Sequence, residues 1–290
     1  MIERIDRVQL VVADRRAAAA TYRNLLGAEV AREDSSAYLA ARRTVMAVGE
    51  SEIELCEPDG AGRAASALAE RGEGLLTAGV ATRDSVTLLA RMRGLGLEPT
   101  VDGDQIYLEG SPGFGARFVV SPFAERPRVG PVSFLYEVTV TLIGDWRAAA
   151  AWYTALFGLD PRRFSAIESG RFGYRGTLTL FDPPARLDRI ELSQVTDAKS
   201  AMGRWVARRG DSLYMCYVET HDLEALHARL DAAGARWTPR GASREGEHDG
   251  SWVHPSALHG LLLGVSRTTL AWEWSGRPQL VRPRAETTPR

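Results

Sequence analysis

The sequence has 290 residues, about twice the length of a common single domain, so we expect two domains. Apolar residues make up 44% and charged residues 25% of the chain, a composition that supports a hydrophobic core and argues against global disorder. The 36 basic and 37 acidic residues give a formal net charge of -1. This balance excludes the strongly basic character on which non-specific nucleic-acid binding depends.

The chain carries no obvious signal for secretion or membrane insertion. Its first residues, MIERIDR, lack the apolar centre of a signal peptide, and no apolar run reaches the roughly 18 residues that span a bilayer. We therefore expect a cytoplasmic protein with no membrane partner. Only two cysteines are present, Cys56 and Cys216, which favours buried free thiols over a disulfide framework.

The first predicted elements are a strand and a helix that occur twice. The alternating run IDRVQLVV precedes DRRAAAATYRNLLG at residues 14–27, and LYEVTVTLI precedes DWRAAAAWYTALFG at residues 145–158. Period-two alternation is typical of a strand, and each Ala-rich segment ends at a glycine, which is typical of a helix C-terminus. The two helical segments match without a gap in Asp, Arg, four Ala, Tyr, Leu and Gly, which indicates an internal repeat.

Elements further along the chain also occur in two copies. Each half reaches Ile-Glu-Leu in a strand-like stretch, at residues 53–55 and 190–192, and residues 75–100 match residues 213–238. The repeats predict four modules, near residues 4–58, 74–122, 134–195 and 212–266. The Pro-rich segment at 121–131 is the expected boundary between an N-terminal domain over residues 1–124 and a C-terminal domain over residues 132–268. A loose Pro- and Arg-rich tail is expected over residues 269–290.

These segments resemble the vicinal oxygen chelate (VOC) superfamily, which includes glyoxalase I, methylmalonyl-CoA epimerase, extradiol dioxygenases and bleomycin-resistance proteins. IDRVQLVVADRRAAAATYRNLLGAEV resembles its opening strand and helix, IELCEP and IELSQV its fourth strand, and WVHPSALHGLLLGV its last loop and strand. The resemblance covers residues 4 to 266. It implies an α+β fold in which four βαβββ modules pair into two curved-sheet domains of the glyoxalase and bleomycin-resistance type. The cupped inner face of each sheet would hold the ligand.

The resemblance also implies a metal site, because enzymes of the superfamily hold one divalent metal through first-strand His and strand-end Glu side chains. In the N-terminal half the two His positions correspond to Arg7 and Thr77, and the terminal Glu falls at Phe118 or Val119. A guanidinium cannot ligate a metal. Only Glu54 remains of the family set, so we expect no metal in the N-terminal cup.

The same comparison leaves few metal ligands in the C-terminal half. The first His position corresponds to Glu137 or Val138, the second to Met215, and the terminal Glu lies near Gly264. Glu191 remains, joined by Glu137 if that residue faces inward. We therefore predict no resident metal and no other cofactor. A two-Glu site for Mg²⁺ or Mn²⁺ is the disfavoured alternative.

In the N-terminal cup, strand alternation places Arg7 and Gln9 on the inner face together with Glu54, if the family register holds. One hypothesis is that Arg7 replaces the metal: it pairs with Glu54 in the empty cup and binds a carboxylate or phosphate when a ligand enters. The other hypothesis is a permanent ion pair that closes the cup. All three residues are therefore candidate ligand-binding residues.

In the C-terminal cup, the catalytic candidates are Glu137, Glu191 and His254. Two close carboxylates raise the pKa of one of them, which suits a proton-transferring enzyme, and His254 lies in the loop before the last predicted strand. Candidate ligand-binding residues are Tyr214, Tyr217, His248 and His259. Alternation allows either Tyr214 with Cys216 or Met215 with Tyr217 to face inward, and core packing is the alternative role for each.

All seven Trp residues lie in the C-terminal half, which favours either an apolar or aromatic ligand in that cup or a packed interface between the halves.

The predicted function is a VOC-type protein without the usual metal site that binds a small apolar or aromatic molecule. The alternative is a metal-independent or divergent isomerase, lyase or cyclase, epimerase- or glyoxalase-like, that uses Glu and His on a small carbonyl or thioester. A purely structural or partner-binding protein is least supported, and both monomer and homodimer remain open.

Overall fold

The structure is a computed structural model that describes residues 1–110, 114–183, 186–240 and 250–267. The expected tail at residues 269–290 and the candidate His248 lie outside the described residues. No helix within the described ranges combines the length and the apolar character that crossing a membrane requires.

The described part of the N-terminal half contains eight strands and three helices. The strands are β1 (Arg4–Val11), β2 (Glu29–Ser36), β3 (Ala41–Val48), β4 (Ser51–Pro58), β5 (Gly74–Thr82), β6 (Thr100–Asp102), β7 (Gln105–Leu108) and β8 (Phe118–Pro122). The helices are α1 (Arg15–Leu26), α2 (Arg63–Arg71) and α3 (Ser85–Gly94). The strands form one sheet in the order β2-β3-β4-β1-β5-β8-β7-β6, so the first strands of the two modules pair at its centre.

The C-terminal half repeats this architecture. Its strands are β9 (Val132–Leu142), β10 (Ser165–Ser169), β11 (Tyr174–Leu180), β12 (Arg189–Val195), β13 (Ser212–Thr220), β14 (Trp237–Pro239), β15 (Gly250–Val253) and β16 (Leu263–Arg267). Its helices are α4 (Trp146–Phe157), α5 (Ala201–Arg209) and α6 (Leu223–Ala232), with short 3-10 helices at Pro161–Arg163 and Pro255–Ala257. The sheet order is β10-β11-β12-β9-β13-β16-β15-β14, which is the N-terminal order repeated. Helices α2 and α5, which link the two modules of each half, were not predicted.

Local chemistry explains why the repeated helices begin and end where they do. The Asp14 carboxylate accepts hydrogen bonds from two backbone N–H groups of the first turn of α1, and Asp145 accepts one from the backbone N–H of Arg147 in α4. Each helix ends at a glycine in the left-handed region, Gly27 and Gly158, both with φ of 65°. A side chain is unfavourable at that φ, so the glycines of the repeat mark real helix ends.

The tyrosine of the repeat joins the two halves. The hydroxyl of Tyr22 in α1 donates to the carbonyl of Leu258 at 3.0 Å, and that of Tyr153 in α4 donates to the carbonyl of Phe114 at 2.8 Å. The main hydrophobic core is one continuous cluster with side chains from both sheets, among them Leu10 and Val140. Helices α1 and α4 therefore lie on the side of the sheets where the halves meet, and the cups are on the opposite, concave faces.

Candidate functional site

Strand register identifies the side chains that share the C-terminal cup, because directly paired residues on neighbouring strands point to the same face of a sheet. One row of paired residues crosses five strands of the sheet: Arg189, Glu137, Tyr217, Gly264 and Trp252. The adjacent row contains Glu191, Thr139 and Met215. Side chains from both rows line a cavity of about 270 Å³.

The walls of this cavity are mainly aromatic and aliphatic. The apolar and aromatic lining residues are Tyr136, Ile167, Phe172, Tyr174, Leu178, Ala201, Met202, Tyr214, Met215, Tyr217, Trp252 and Leu262. The polar lining residues are Glu137, Thr139, Arg189, Glu191, Thr238, Arg240 and His254. A cavity with a predominantly apolar wall and a few polar groups is typical of a small-molecule site.

A bulge in β13 brings two consecutive side chains into the cavity. The pairing of β13 with β9 shifts between Leu213 and Met215, so Tyr214 has no direct partner. Tyr214, Met215 and Tyr217 all line the cavity, whereas Cys216 is buried in the main core. Of the two sequence alternatives, Met215 with Tyr217 faces inward, and the bulge adds Tyr214 to them.

The cavity floor holds a buried ion pair between neighbouring strands. Arg189 Nε donates to Glu137 Oε2 at 2.5 Å, and each residue is only 2% exposed. Val138, the alternative to Glu137 in the sequence, faces the main core instead. Arg189 was missed by the sequence analysis, and its Nη1 atom is buried without a hydrogen-bond acceptor in the part of the chain that the structure describes.

The carboxyl group of Glu191 lies beside this pair in an environment that favours its protonated form. Burial raises the pKa of Glu191 to about 8, and the neighbouring Glu137 carboxylate contributes in the same direction. Hydroxyl groups of Ser193 and Thr139 donate to its oxygens at 2.5 and 3.2 Å. The two catalytic candidates Glu137 and Glu191 are thus brought together, one paired with an arginine and the other inclined to hold a proton.

The two remaining described histidine candidates are in different places. His254 lines the cavity, where its Nε2 atom lies 2.7 Å from Thr238 Oγ1, and burial followed by the charge of Arg236 lowers its pKa. His259 lies at the junction of the two halves, with Nδ1 2.9 Å from Glu73 and Nε2 3.2 Å from Thr21. It is not among the residues that line the cavity.

Arg240 covers part of the aromatic wall. Its guanidinium carbon lies 5.2 Å from the ring centroid of Tyr217 and 5.0 Å from that of Trp252. The indole N–H of Trp252 points to the hydroxyl of Tyr217 at 3.4 Å. Cation-π contacts of this kind hold the rings in a fixed orientation.

The floor of the N-terminal cup is occupied by its own side chains. Arg7 Nη1 lies 2.6 Å from Glu54 Oε1 and 2.9 Å from Glu52 Oε2. Gln9 Nε2 donates to Glu54 Oε2 at 2.8 Å, and Arg43 Nη1 donates to the same oxygen at 3.0 Å. Burial by itself would raise the pKa of Glu54, but the charges of Arg7 and Arg43 outweigh it and lower the pKa.

Above that floor, an apolar cluster fills the concave face of the N-terminal sheet. Helix α2 contributes Ala64 and Ala67, and the loop after β2 contributes Tyr38, whose ring stacks on that of Tyr107 at a centroid distance of 4.1 Å. The full cluster is Val11, Tyr38, Leu39, Ala41, Cys56, Ala64, Ala67, Leu76, Tyr107 and Val119. The candidates Arg7, Gln9 and Glu54 therefore meet in a packed interior, whereas Glu137 and Glu191 meet at a cavity.

The two cups contain the same cross-strand pair with its charges reversed. Arg7 on β1 is paired in register with Glu52 on β4, and Glu137 on β9 is paired with Arg189 on β12. The residue two positions before the repeated Glu is therefore acidic in the first half and basic in the second. This reciprocal change is visible in EIEL and RIEL, and it is the signal that could have identified Arg189.

No family model matches the chain. Among curated proteins, a 4-hydroxyphenylpyruvate dioxygenase from Caenorhabditis briggsae is 26% identical over 127 residues, which cover 44% of this chain. The matched part spans only 31% of the length of that relative.

Solved structures match much more of the chain. A triple mutant of 4-hydroxymandelate synthase from Streptomyces coelicolor is 16% identical, with a TM-score of 0.69 and coverage of 91% of this chain and 93% of that one. The chain has the tandem fold of the VOC superfamily. A fusion of a xylose isomerase-like TIM barrel with a 4-hydroxyphenylpyruvate dioxygenase shares this VOC fold, with 12% identity, a TM-score of 0.65 and coverage of 92% of this chain and 49% of that one. The predicted superfamily fold and the α+β class are confirmed.

The side chains at the VOC metal positions do not fit a divalent ion. The described ranges contain no group of three or more His, Cys, Asp or Glu side chains arranged to hold a metal. In the C-terminal cup, the second His position and the terminal Glu position carry Met215 and Gly264, and neither offers a side-chain oxygen or nitrogen to a metal. Arg189 also places a fixed positive charge on the Glu137 carboxylate, and that charge opposes a cation at the same oxygens.

Proposed function

We propose that the C-terminal cup binds a small apolar or aromatic molecule and does so without a resident divalent metal. One observation carries this proposal: the concave face that is filled by side chains in the N-terminal half holds a cavity of about 270 Å³ in the C-terminal half. Because the same fold can pack this face with side chains, the open cavity in the C-terminal cup supports ligand binding there.

The wall of the cavity supports the apolar character of the ligand. Rings such as Phe172, Tyr174 and Trp252 offer large surfaces with few rotatable bonds, so little conformational entropy is lost when a ligand packs against them. Burial of apolar surface contributes about 25 cal/mol per Å². A ligand that fills the cavity therefore gains most of its affinity from this wall, and the polar floor orients it.

The ion pair supports the metal-free part of the proposal. In VOC enzymes a bound metal supplies the positive charge at the cup floor, and in this chain Arg189 supplies a positive charge beside Glu137. A guanidinium remains charged at all accessible pH values and needs no further ligands. Elemental analysis of the purified protein tests this: we expect no stoichiometric metal. A metal that is lost from Glu137→Gln but retained by Glu54→Gln would overturn it.

Filling the cavity tests the binding function. We expect Met202→Trp, at the N-terminal end of α5 and in the cavity wall, to abolish the thermal stabilisation and the calorimetric binding produced by small aromatic compounds. Val86→Trp, at a position 80% exposed on the N-terminal half, is the matched control and should bind as the wild type does. Equal binding by both variants would place the ligand outside this cavity.

A second candidate function follows from the raised pKa of Glu191. A carboxyl group that holds a proton near neutral pH can donate and accept protons in an isomerase, lyase or cyclase reaction on a small carbonyl or thioester. His254 is the additional proton-transfer group on the same cavity.

Hydrogen exchange provides a test of this second function. The wild-type protein should accelerate the exchange of acidic C–H protons of small ketones with deuterated water, measured by proton NMR. Glu191→Gln should remove the acceleration, because an amide cannot accept and return the proton. Retained acceleration in Glu191→Gln would exclude Glu191 as the acid or base, and ligand binding without any exchange would favour the binding protein.

A further inference from the structure

The Nη1 atom of Arg189 is a buried hydrogen-bond donor that has no acceptor within the described ranges of the chain. Buried guanidinium N–H groups are almost always satisfied, because an unsatisfied one loses its water without compensation. Arg189 is 2% exposed and lines the C-terminal cavity. An acceptor supplied from the cavity would complete its hydrogen bonds.

The rest of the guanidinium is held in place. Its Nε atom donates to Glu137 Oε2 at 2.5 Å, and its central carbon lies 5.0 Å from the ring centroid of Tyr136. Because Glu137 fixes one edge of the planar group, the direction of the Nη1 donor is fixed as well. Glu137 therefore acts as a positioning residue, and Arg189 is the group that would touch a ligand.

The charge around Arg189 determines the kind of acceptor that fits. The carboxylate of Glu137 already neutralises the guanidinium, so a ligand carboxylate at Nη1 would lie close to a second negative charge. Two negative groups in a cavity with an apolar wall repel each other strongly. An uncharged oxygen avoids this repulsion.

We propose that the ligand is an uncharged aromatic molecule with a carbonyl oxygen, and that Arg189 Nη1 donates a hydrogen bond to that oxygen while Glu137 positions the guanidinium. The aromatic part then lies against the ring-rich wall. This inference rests on the proposed binding function and specifies the chemical class that the C-terminal cavity selects.

Three probes of similar shape test the proposal: acetophenone, ethylbenzene and benzoate. A hydrogen bond from a charged donor distinguishes ligands by about tenfold or more, so we expect calorimetry to give at least that preference for acetophenone over both other probes. The preference should disappear in the double variant Glu137→Gln/Arg189→Met, which removes the donor without leaving an unpaired charge. The matched control Arg7→Met/Glu52→Gln removes the charge-reversed pair of the other cup and should keep the preference.

An infrared measurement on the wild-type protein makes the test independent of how the variants fold. The carbonyl stretching frequency of isotope-labelled acetophenone should fall on binding, relative to its value in an apolar solvent. An unshifted frequency, equal affinities for acetophenone and ethylbenzene, or a preference for benzoate would each overturn this inference while leaving the binding function in place. If none of the three probes binds the folded protein at millimolar concentration, the binding function fails together with it.

Discussion

In the ion pair of Arg189 and Glu137, the burial of each charge depends on the presence of the other. Both side chains are buried, and separating a buried pair leaves a charge that neither water nor a partner compensates. The N-terminal half contains the same pair with Arg7 on the first strand and Glu52 on the fourth. The fold therefore accepts the positive charge on either the first or the fourth strand of a half, provided that the paired strand carries the negative charge.

Exchanging the charges of the C-terminal pair should therefore be tolerated better than removing one of them. We expect Arg189→Met to lower the free energy of unfolding by about 3–5 kcal/mol, because Glu137 is left buried and unpaired. The double variant Glu137→Arg/Arg189→Glu should recover most of that loss, since it reproduces the arrangement of Arg7 and Glu52. Urea denaturation of the single and double variants measures the coupling. A double variant no more stable than Arg189→Met would contradict the equivalence of the two pairs.

Glu191 should make stability depend on pH. Its pKa in the folded protein is raised above the unfolded value by burial and by Glu137, so its contribution is fully present below the unfolded pKa and is lost as the pH rises through the folded pKa. Between pH 4.5 and about 8, the wild type should therefore lose stability relative to Glu191→Gln, which does not titrate. Denaturation curves of both proteins across this range test the sign.

The equivalent residue of the other cup provides a control with the opposite sign. The pKa of Glu54 is lowered because Arg7 and Arg43 outweigh its burial. Its contribution is present above the unfolded pKa and lost as the pH falls through the folded pKa. Relative to the wild type, Glu54→Gln should therefore recover stability as the pH falls below 4.5. Parallel pH profiles for the two variants would contradict the assigned environments.

At the scale of elements, the repeated strands and helices could be predicted because their signals are local. The caps Asp14 and Gly27 act within a few residues of the helix they delimit, and period-two alternation is a property of one strand. The bulge beside Tyr214 and the partner of Glu137 could not be predicted in this way. Both depend on register between strands that are distant in sequence, and a shift of one residue exchanges the inner and outer faces.

Glycine at position 264 sets the shape of the cavity floor. A Cβ atom built there would lie 2.1 Å from the ring of Tyr217 on the neighbouring strand, so the ring rests directly on β16. In Gly264→Ala the ring must move toward the cavity. We expect a loss of about 1–3 kcal/mol in the free energy of unfolding and a loss of at least about tenfold in affinity for an aromatic ligand, measured by urea denaturation and calorimetry.

The N-terminal half contains a matched position for this experiment. A Cβ atom at Gly79 would lie 2.1 Å from the Cγ atom of Arg7, so Gly79→Ala should disturb the packed cup in a similar way. Its effect on stability should resemble that of Gly264→Ala, with no effect on ligand affinity. Reduced ligand affinity in Gly79→Ala would show that general destabilisation, not the position of Tyr217, controls binding.

At the scale of the whole molecule, the two halves share contacts that neither could make alone. Besides the two tyrosine hydrogen bonds, the backbone N–H of Ile5 donates to Asp188 Oδ1 at 2.8 Å. Burial raises the pKa of Asp188 to about 6. The sequence predicted two domains in tandem, but the continuous core between them could not be predicted, because apolar periodicity shows which face of an element is buried and does not show against what.

This continuous core should make the halves unfold together. All seven Trp residues lie in the C-terminal half, so Trp fluorescence reports on that half, whereas far-UV circular dichroism reports on both sheets. We expect the two signals to give coincident urea transitions, as for a two-state protein.

The variant Tyr22→Phe, in the N-terminal half, removes the donor to the Leu258 carbonyl. This should lower the free energy of unfolding by about 1–3 kcal/mol. Because the halves are coupled, this variant should shift the fluorescence transition as far as the dichroism transition. A shift of the dichroism signal alone, or two separate transitions in the wild type, would show that the halves unfold independently.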